Sequence, residues 1–121
     1  MKYMLLCYDD ELGWAQAGQA ALEAAMQEAV GLTHELHAKG QYLEAAPLEP
    51  ASTAARVKVR DGKAQVTSGP FAETREVLGG YYLIDVDNLD QAIGIAERHP
   101  GARLGTVEIR PLVELPGLPT V

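Results

Sequence analysis

The chain alternates between short apolar runs that predict strands and longer periodic stretches that predict helices. Residues 3–8, YMLLCY, form a continuous apolar run that ends at two aspartates, Asp9 and Asp10. Such a run is typical of a strand in the middle of a sheet, with both faces buried. The sequence therefore predicts a central strand near its N-terminus.

A longer pattern, from about Trp14 to Lys39, predicts one amphipathic helix. The segment is rich in Ala, Leu, Glu, Gln and Met, which favour helices, and Lys39-Gly40 supplies a basic last turn followed by a glycine stop. Its apolar stripe has three- and four-residue spacing. The stripe consists of Leu22, Met26, Ala29, Thr33 and Leu36.

The remaining pattern predicts strands around one further helix. QYLEAAPLEP predicts a short strand in which Pro47 marks an edge position, a bulge or the strand's end. ARVKVRDGKAQVT alternates apolar and polar residues around Asp61-Gly62, which predicts a β-hairpin. VLGGYYLIDV and GTVEIRPL predict the last two strands. Between them, Asp87 or Asn88 caps a helix that continues to about His99.

Taken in order, these elements predict an α+β fold. With the hairpin treated as an insertion, the order is βαββαβ, the ferredoxin-like pattern. We expect a single domain over residues 1–121, with residues 112–121 as an extended C-terminal tail. The strands carry apolar residues at consecutive positions, so both faces of the sheet are apolar, yet the two predicted helices cover only one of them. A second copy of the chain is the simplest cover, which predicts a homodimeric α+β barrel.

Charge and composition narrow the range of partners. The 121 residues include 17 acidic and 10 basic ones, a formal net charge of −7 at pH 7. This charge repels nucleic acid and anionic lipid, so we expect neither a nucleic-acid nor a membrane partner. The single cysteine, Cys7, excludes an intramolecular disulfide, and the first apolar run is too short for a signal peptide or a membrane span. These features predict a cytoplasmic protein.

Several side chains that can bind or react lie near predicted strand and helix ends. Tyr8, Tyr81 and Tyr82 can line an aromatic pocket for a small ligand. Asp9 and Asp10 end the first strand, which places them at the mouth of the cleft that the sheet and the long helix enclose. Core or interface packing is the alternative role for the tyrosines, and solvation of the helix start is the alternative for the aspartates. His99 ends the second helix, where it can transfer a proton or, when protonated, stabilise the helix end.

The sequence contains no recognisable metal or cofactor motif. His34 and His37 are three residues apart, but HELH is not the H-E-x-x-H zinc motif. Gly79-Gly80 is not part of a G-x-G-x-x-G loop, and we interpret it as a bulge or a place of close backbone packing. We therefore expect no metal and no cofactor.

Three segments resemble the YCII-related superfamily, in its subgroup with an Asp-Gly-Pro-Phe motif. They cover nearly the whole chain and are MKYMLLCYDDE, VRDGKAQVTSGPFAETREVLGGYYLIDVDNLDQAIGIA and HPGARLGTVEIRPL. The resemblance implies a ferredoxin-like fold and a dimeric α+β barrel, similar to muconolactone isomerase and to small cofactor-free monooxygenases. In some members a His-Asp pair in the interior cleft is proposed as catalytic. Members of the subgroup also occur beside, or fused to, extracytoplasmic-function sigma factors.

The chain departs from the subgroup's motif at Ser68, which stands where the motif has aspartate. If that aspartate is a catalytic base, Glu73 is a neighbouring replacement. If it only forms a turn, serine makes a weaker version of the same hydrogen bond, and the substitution favours this structural role. Glu73 and Arg75 follow the turn on a predicted loop, where functional side chains are common, although a solvated surface ion pair is the plainer interpretation.

Two functions of different class follow from these features. The first is a cofactor-independent enzyme, isomerase-like or lyase-like, that acts on a small organic molecule by proton transfer with Glu73 or His99 as the base. The available substrate-binding residues are Tyr8, Asp9, Ser68, Arg75 and Tyr82. The second is a non-catalytic dimeric module that binds a small ligand or regulates a protein partner, including one linked to sigma factors. One scaffold hosts unrelated functions, so the fold does not choose between them.

Overall fold

The computed structural model describes residues 1–69 and 75–119 and has an α+β fold. Its strands are β1 (Lys2–Asp9), β2 (Tyr42–Pro47), β3 (Ala55–Arg60), β4 (Lys63–Ser68), β5 (Val77–Asp85) and β6 (Thr106–Pro111). Its α-helices are α1 (Glu11–Ala17), α2 (Gln19–Ala38) and α3 (Leu89–Arg98). Two short 3-10 segments, Ala51–Thr53 and Pro100–Arg103, follow β2 and α3.

Four strands form one antiparallel sheet in the order β2-β5-β1-β6, so β1 and β5 are central and β2 is an edge strand that ends at Pro47. The edge placement of the proline strand is confirmed. β3 and β4 pair only with each other, as the predicted hairpin. Its turn residues Asp61 and Gly62 have φ of 52° and 73°, the left-handed conformation that a two-residue hairpin turn requires.

The prediction of one helix over Trp14 to Lys39 is wrong. Gly18 has φ 97° and ψ 165°, a conformation far from helical, and it separates α1 from α2. A glycine adopts this conformation without the steric cost of a side chain, so the break falls there despite the helix-favouring neighbours. Within the described part of the chain, the helices are too short or too polar to cross a membrane.

The core lies between the helices and one face of the four-stranded sheet. Leu5, Leu36 and Ile84 are each at most 1% exposed, and they represent β1, α2 and β5. The predicted helix stripe is only partly correct, because Leu36 is buried whereas Met26 is 54% exposed. The buried residues of α2 are Ala25, Leu32 and Leu36.

Alternate residues of β1 divide between the two faces of the sheet. Tyr3, Leu5 and Cys7 are buried on the helix side, whereas Met4 and Leu6 on the opposite side are only partly buried. The expectation of burial on both faces is therefore not met within one chain. The opposite side, here called the open face, also carries Tyr81 and Leu83 of β5, which pair with Leu6 and Met4.

The hairpin and the C-terminal segment stand away from the core. Val57, Val59 and Val66 are each more than 60% exposed. Residues 112–119 lie in no helix or strand, and Val113, Leu115 and Leu118 are largely exposed. The hairpin therefore gains little stability from the rest of its own chain. A two-stranded hairpin without further support is only marginally stable in water.

Candidate functional site

A pocket of about 860 Å³ lies between the helix side of the sheet and helices α1 and α2. Strands β1, β2 and β5 form its floor, and the residues from His99 to Gly101 form one end. The volume falls within the range of roughly 300–1,000 Å³ that is usual for small-ligand sites. The pocket is therefore large enough for a small organic molecule.

Asp9 points into this pocket because of its place at the end of β1. It follows Tyr3, Leu5 and Cys7 at two-residue spacing, which assigns it to the helix side of the sheet. On the neighbouring strand β5, Cys7 pairs with Gly80 whereas Tyr8 pairs with Leu78. Gly79 is therefore the extra residue of a β-bulge in β5. The interpretation of the two glycines as a bulge is confirmed.

The bulge leaves room for the Asp9 carboxylate. A Cβ atom on Gly79 would overlap Asp9 Oδ2, so a side chain at position 79 is incompatible with this position of the carboxylate. The absence of a side chain at Gly79 therefore allows Asp9 to reach the pocket.

The Asp9 carboxylate is half-buried and has an unusual electrostatic setting. Among residues 1–69 and 75–119, none donates a hydrogen bond to it or forms an ion pair with it. Burial raises its pKa above the usual range, and the neighbouring Glu11 carboxylate raises it further. Glu11 itself accepts a hydrogen bond from the Ala51 amide at 3.1 Å. Asp9 is thus a carboxylate whose proton affinity is increased.

His99 follows α3 and is fixed by its surroundings. Its Nδ1 accepts a hydrogen bond from the Gly101 amide at 3.0 Å, so the hydrogen of the neutral ring lies on Nε2. The Tyr82 ring packs edge-on against the imidazole, with ring centroids 5.2 Å apart and planes at 82°. These two contacts set the tautomer and the orientation of the ring.

The surroundings of the imidazole favour its neutral form. Burial lowers the His99 pKa below its usual value, Arg103 lowers it further, and the nearby Glu28 acts in the opposite direction. The alternative role of a protonated helix cap therefore does not fit this environment. What His99 can offer is an N–H donor at Nε2.

Asp9 and His99 approach each other across Gly101. A Cβ atom built on Gly101 would lie 2.9 Å from His99 Nδ1 and 3.5 Å from Asp9 Oδ1. Cys7 lies beside them, with Sγ 4.0 Å from His99 Nε2. Burial, with a smaller effect of Asp9, raises the Cys7 pKa to about 12, so the thiol stays protonated and is a poor nucleophile.

This arrangement combines a proton acceptor with a hydrogen-bond donor in an apolar setting. Tyr82 is buried, lines the same pocket and donates a hydrogen bond to the Ala29 carbonyl at 3.4 Å. Within the described ranges, no cluster of three or more His, Cys, Asp or Glu side chains could hold a metal ion. The chemistry that these side chains can perform is proton transfer.

The sequence-predicted residues do not all meet at this pocket. Asp9, Tyr82 and His99 line it, whereas Tyr8 and Ser68 do not. Tyr8 follows Cys7 on β1, and Ser68 is exposed at the end of β4. Glu73 lies outside the described residues.

Arg75 contacts a different aspartate. Its Nε lies 3.1 Å from Oδ2 of Asp10, and its own side chain is 84% exposed. Asp10 is buried and caps α1 by accepting a hydrogen bond from the Gly13 amide at 2.9 Å. The adjacent acids therefore have separate roles, because one caps a helix while the other faces the pocket.

Three residues shape the site although the sequence pattern did not mark them as site residues: Trp14, Glu11 and Gly79, of which only the glycine was noted, as part of a bulge. The first two lie on α1, which was not recognised as a separate helix, and both line the pocket. For Asp9 a usable signal was present, since two-residue alternation through Leu5 and Cys7 assigns it to the covered face. No comparable local signal marks Trp14, because its position depends on the break before α2.

Comparison with known proteins gives a consistent result. A family model described as "YCII-related domain" matches residues 1–116. An uncharacterized protein of Rhizobium meliloti (strain 1021) is 35% identical over 114 residues, which cover 93% of this chain and 92% of that protein.

Proposed function

This chain belongs to the YCII-related family, and from that premise we propose that it is a cofactor-independent enzyme that moves a proton on a small organic molecule. The observation that carries the proposal is the pair of side chains that line the pocket beside Gly101: Asp9, with a raised pKa and no partner among the described residues, and His99, whose lowered pKa favours the neutral ring. A base whose pKa is raised toward the working pH is better matched to proton abstraction.

In this proposal the two side chains have distinct roles. Asp9 is the base, because burial disfavours its charged form and the pocket leaves it free to reach a bound molecule. His99 donates a hydrogen bond from Nε2, because Nδ1 already accepts one from Gly101. Tyr82 orients the imidazole by ring packing. The reaction class is isomerase-like or lyase-like, with no metal and no cofactor.

Four sequence-based site residues gain no support from the pocket and remain predictions. Glu73 as a base is untested, since it lies outside the described residues. Tyr8 and Ser68 as substrate-binding residues lack support from this pocket, because neither lines it. Arg75 could reach a ligand only by leaving Asp10.

The alternative is a non-catalytic module that binds a small ligand or regulates a protein partner. One observation favours it: in the described part of the chain no hydrogen bond joins Asp9 to His99, as one would in a preassembled catalytic pair. The same pocket would then serve only for binding.

A metabolite-library thermal-shift screen followed by turnover assays separates the two functions. We expect ligands that stabilise the protein and are also converted, with turnover reduced roughly 10²–10⁴-fold in Asp9→Asn and in His99→Gln. Asp61→Asn in the hairpin turn and His34→Gln on the exposed side of α2 are the matched controls and should keep wild-type turnover. Glu73→Gln tests the remaining prediction. Stabilisation by ligands without any conversion would reject the enzyme and leave the binding module.

We also propose a homodimer in which the open faces of two sheets pack together as an α+β barrel. The support is the partly exposed apolar surface of Met4, Leu6, Tyr81 and Leu83 on one side of the four-stranded antiparallel sheet. Sedimentation at micromolar concentration should give a dimer for the wild type and a monomer for Leu83→Glu. Leu89→Glu, on the exposed start of α3, should remain dimeric. A monomeric wild type would contradict the proposal.

A cytoplasmic location is part of the same proposal. Its support is the single cysteine, which is buried and cannot form an intramolecular disulfide. Fractionation of cells that express the tagged protein tests it, and recovery outside the cytoplasm would contradict it.

A further inference from the structure

The pocket has a one-sided charge character. Asp9, Glu11 and Glu49 line it, and among the described residues that line it there is no lysine or arginine. The remaining residues, 70–74 and 120–121, contain no lysine or arginine in their sequence. The surroundings of its one basic side chain, His99, favour the neutral form because burial lowers the pKa of the imidazole. A bound carboxylate or phosphate would therefore meet like charge without a counter-ion from this chain.

The walls of the pocket are apolar and extend to its rim. Trp14 and Leu22 contribute from the helices, and the rim residues Met26, Val30 and Leu48 are each about half exposed, at 54%, 56% and 47%. A ligand with an apolar body would cover these side chains and remove their surface from water. The walls thus favour a largely apolar molecule.

The polar end of the pocket fits one functional group in particular. Asp9 offers an acceptor with no partner among the described residues, and His99 offers a donor at Nε2, which lies 4.0 Å from Cys7 Sγ, on the same face of β1 as Asp9. A carbonyl group with a hydrogen on the adjacent carbon matches both, since its oxygen accepts from Nε2 while Asp9 faces the C–H bond. An amine would pair with Asp9 but would leave the Nε2 hydrogen facing Cys7 Sγ, a weak acceptor 4.0 Å away.

We propose, as an extension that rests on the proposed proton transfer, that the pocket takes an uncharged, largely apolar carbonyl compound and excludes carboxylates and phosphates. Asp9 removes a proton from the carbon next to the carbonyl. The electrons of that C–H bond form a C=C bond, and the carbonyl π electrons move to the oxygen, which the His99 Nε2–H group stabilises. Asp9 then returns the proton to the same carbon or to a conjugated one, so the cycle consumes no other reactant.

Trp14 makes the proposal directly testable. It is the single tryptophan of the sequence and it lines the pocket, so its fluorescence reports occupancy. Three probes of nearly equal shape differ in charge: 4-phenyl-2-butanone is neutral, 3-phenylpropanoate is an anion and 4-phenylbutan-2-amine is a cation. We expect the ketone to bind at least about tenfold more tightly than either charged probe, which corresponds to roughly 1.4 kcal/mol. Tighter binding of the anion or the cation, or no binding of any probe, would overturn the proposal.

Two further measurements link the binding preference to Asp9. Asp9→Asn should improve binding of the anion at least severalfold and leave ketone binding nearly unchanged, whereas Asp61→Asn should change neither. If Asp9→Asn does not fold, Glu49→Gln at the rim should shift anion binding in the same direction by a smaller factor. An anion affinity that is unchanged in the folded variant would contradict the proposal.

Exchange of α-hydrogens tests the reaction step itself. The wild type should incorporate deuterium from D₂O next to the carbonyl of 4-phenyl-2-butanone, as followed by NMR, and Asp9→Asn should lose this activity. Ketone binding without exchange would overturn the carbonyl step. Conversion of an anionic hit in the metabolite screen would overturn the substrate class while leaving the proposed enzyme function intact.

Discussion

The two halves of α2 meet the same face of the sheet with opposite results. In the C-terminal half, Leu32 and Leu36 are 4% and 1% exposed and pack against Leu5 and Ile84. In the N-terminal half, Ala25 is the one residue of α2 that is buried, and the pocket of about 860 Å³ lies between this half and the sheet. One helix therefore completes the core at one end and borders the candidate site at the other.

The difference comes from side-chain size along the helix. Leucine reaches across to the sheet and fills the gap, whereas the alanines at 25 and 29 stop short of it and leave space above β5. The unfilled half is also where Asp9 and His99 lie. Core packing and the candidate site are thus separated along a single element, a separation that substitutions can test.

The largest expected effect is a loss of stability from a substitution in the C-terminal half of α2, which completes the core. Leu36→Ala removes a fully buried side chain and leaves a cavity, so the free energy of unfolding should fall by about 2–5 kcal/mol. Met26→Ala, at an exposed position of the same helix, should change it by less than about 1 kcal/mol. Urea unfolding measures both. Equal losses in the two variants would mean that the halves do not differ in packing.

A smaller effect, this time on turnover, is expected from Gly79→Ala at the floor of the pocket. The new methyl group would overlap the Asp9 carboxylate and displace it, and misplacement of a reacting group by about 1 Å can reduce turnover by roughly 10²-fold. Turnover and deuterium exchange are the measurements. Wild-type rates in a correctly folded Gly79→Ala variant would show that the position of Asp9 does not matter.

Gly31→Ala on α2 is the matched glycine substitution. Gly31 is exposed and has nothing within 4 Å of its Cβ position, so alanine should raise the free energy of unfolding by about 0.5–1 kcal/mol through its better helix propensity. Turnover should stay at the wild-type level. Loss of turnover here would mean that the effect of Gly79→Ala is not specific to the pocket.

The smallest net effect is expected from a change of pH on the free energy of unfolding, because the titrations of Asp9 and His99 change stability in opposite directions. The folded-state pKa of His99 is lowered, so its contribution to stability is present above about 6.5 and is lost as the pH falls below that value. The folded-state pKa of Asp9 is raised above 3.8, so its contribution is present at low pH and is lost as the pH rises through the folded value.

Variants separate the two contributions in unfolding experiments between pH 4 and 8. Relative to wild type, His99→Gln should lose less stability as the pH falls below about 6.5, and Asp9→Asn should lose less as the pH rises above about 3.8. The other groups near His99 are Cys7, Tyr82, Glu28 and Arg103. The same pH profile in wild type and His99→Gln would show that the imidazole is not titrating in this way.

Much of the fold was predictable from local sequence. Asp61-Gly62 marked the hairpin turn, Pro47 marked the end of an edge strand, and Asn88 caps α3 by accepting a hydrogen bond from the Gln91 amide at 2.9 Å. Each of these features depends on residues close together in the chain. The break at Gly18 was not predicted, because its alanine-rich surroundings favour a continuous helix.

The candidate site was only partly predictable. Asp9, Tyr82 and His99 were identified as candidates, but neither the position of His99 at the same pocket nor the role of Gly79 in making room for Asp9 could be read from local pattern. The strand pairing that sets Gly79 beside Asp9 joins residues about 70 positions apart. The orientation of His99 likewise depends on Tyr82, which belongs to another element.

The amino-acid sequence alone determined most of the elements of this protein, their order, its acidic charge and its α+β class, because propensity, periodicity and turn chemistry act between near neighbours. Only the tertiary structure decided that α1 and α2 are separate helices, that His99 lies at the same pocket as Asp9, which nitrogen of His99 carries the hydrogen and where the core remains unfilled. These properties arise from contacts between distant segments, and such contacts exist only once the strands have paired and the helices have packed on them.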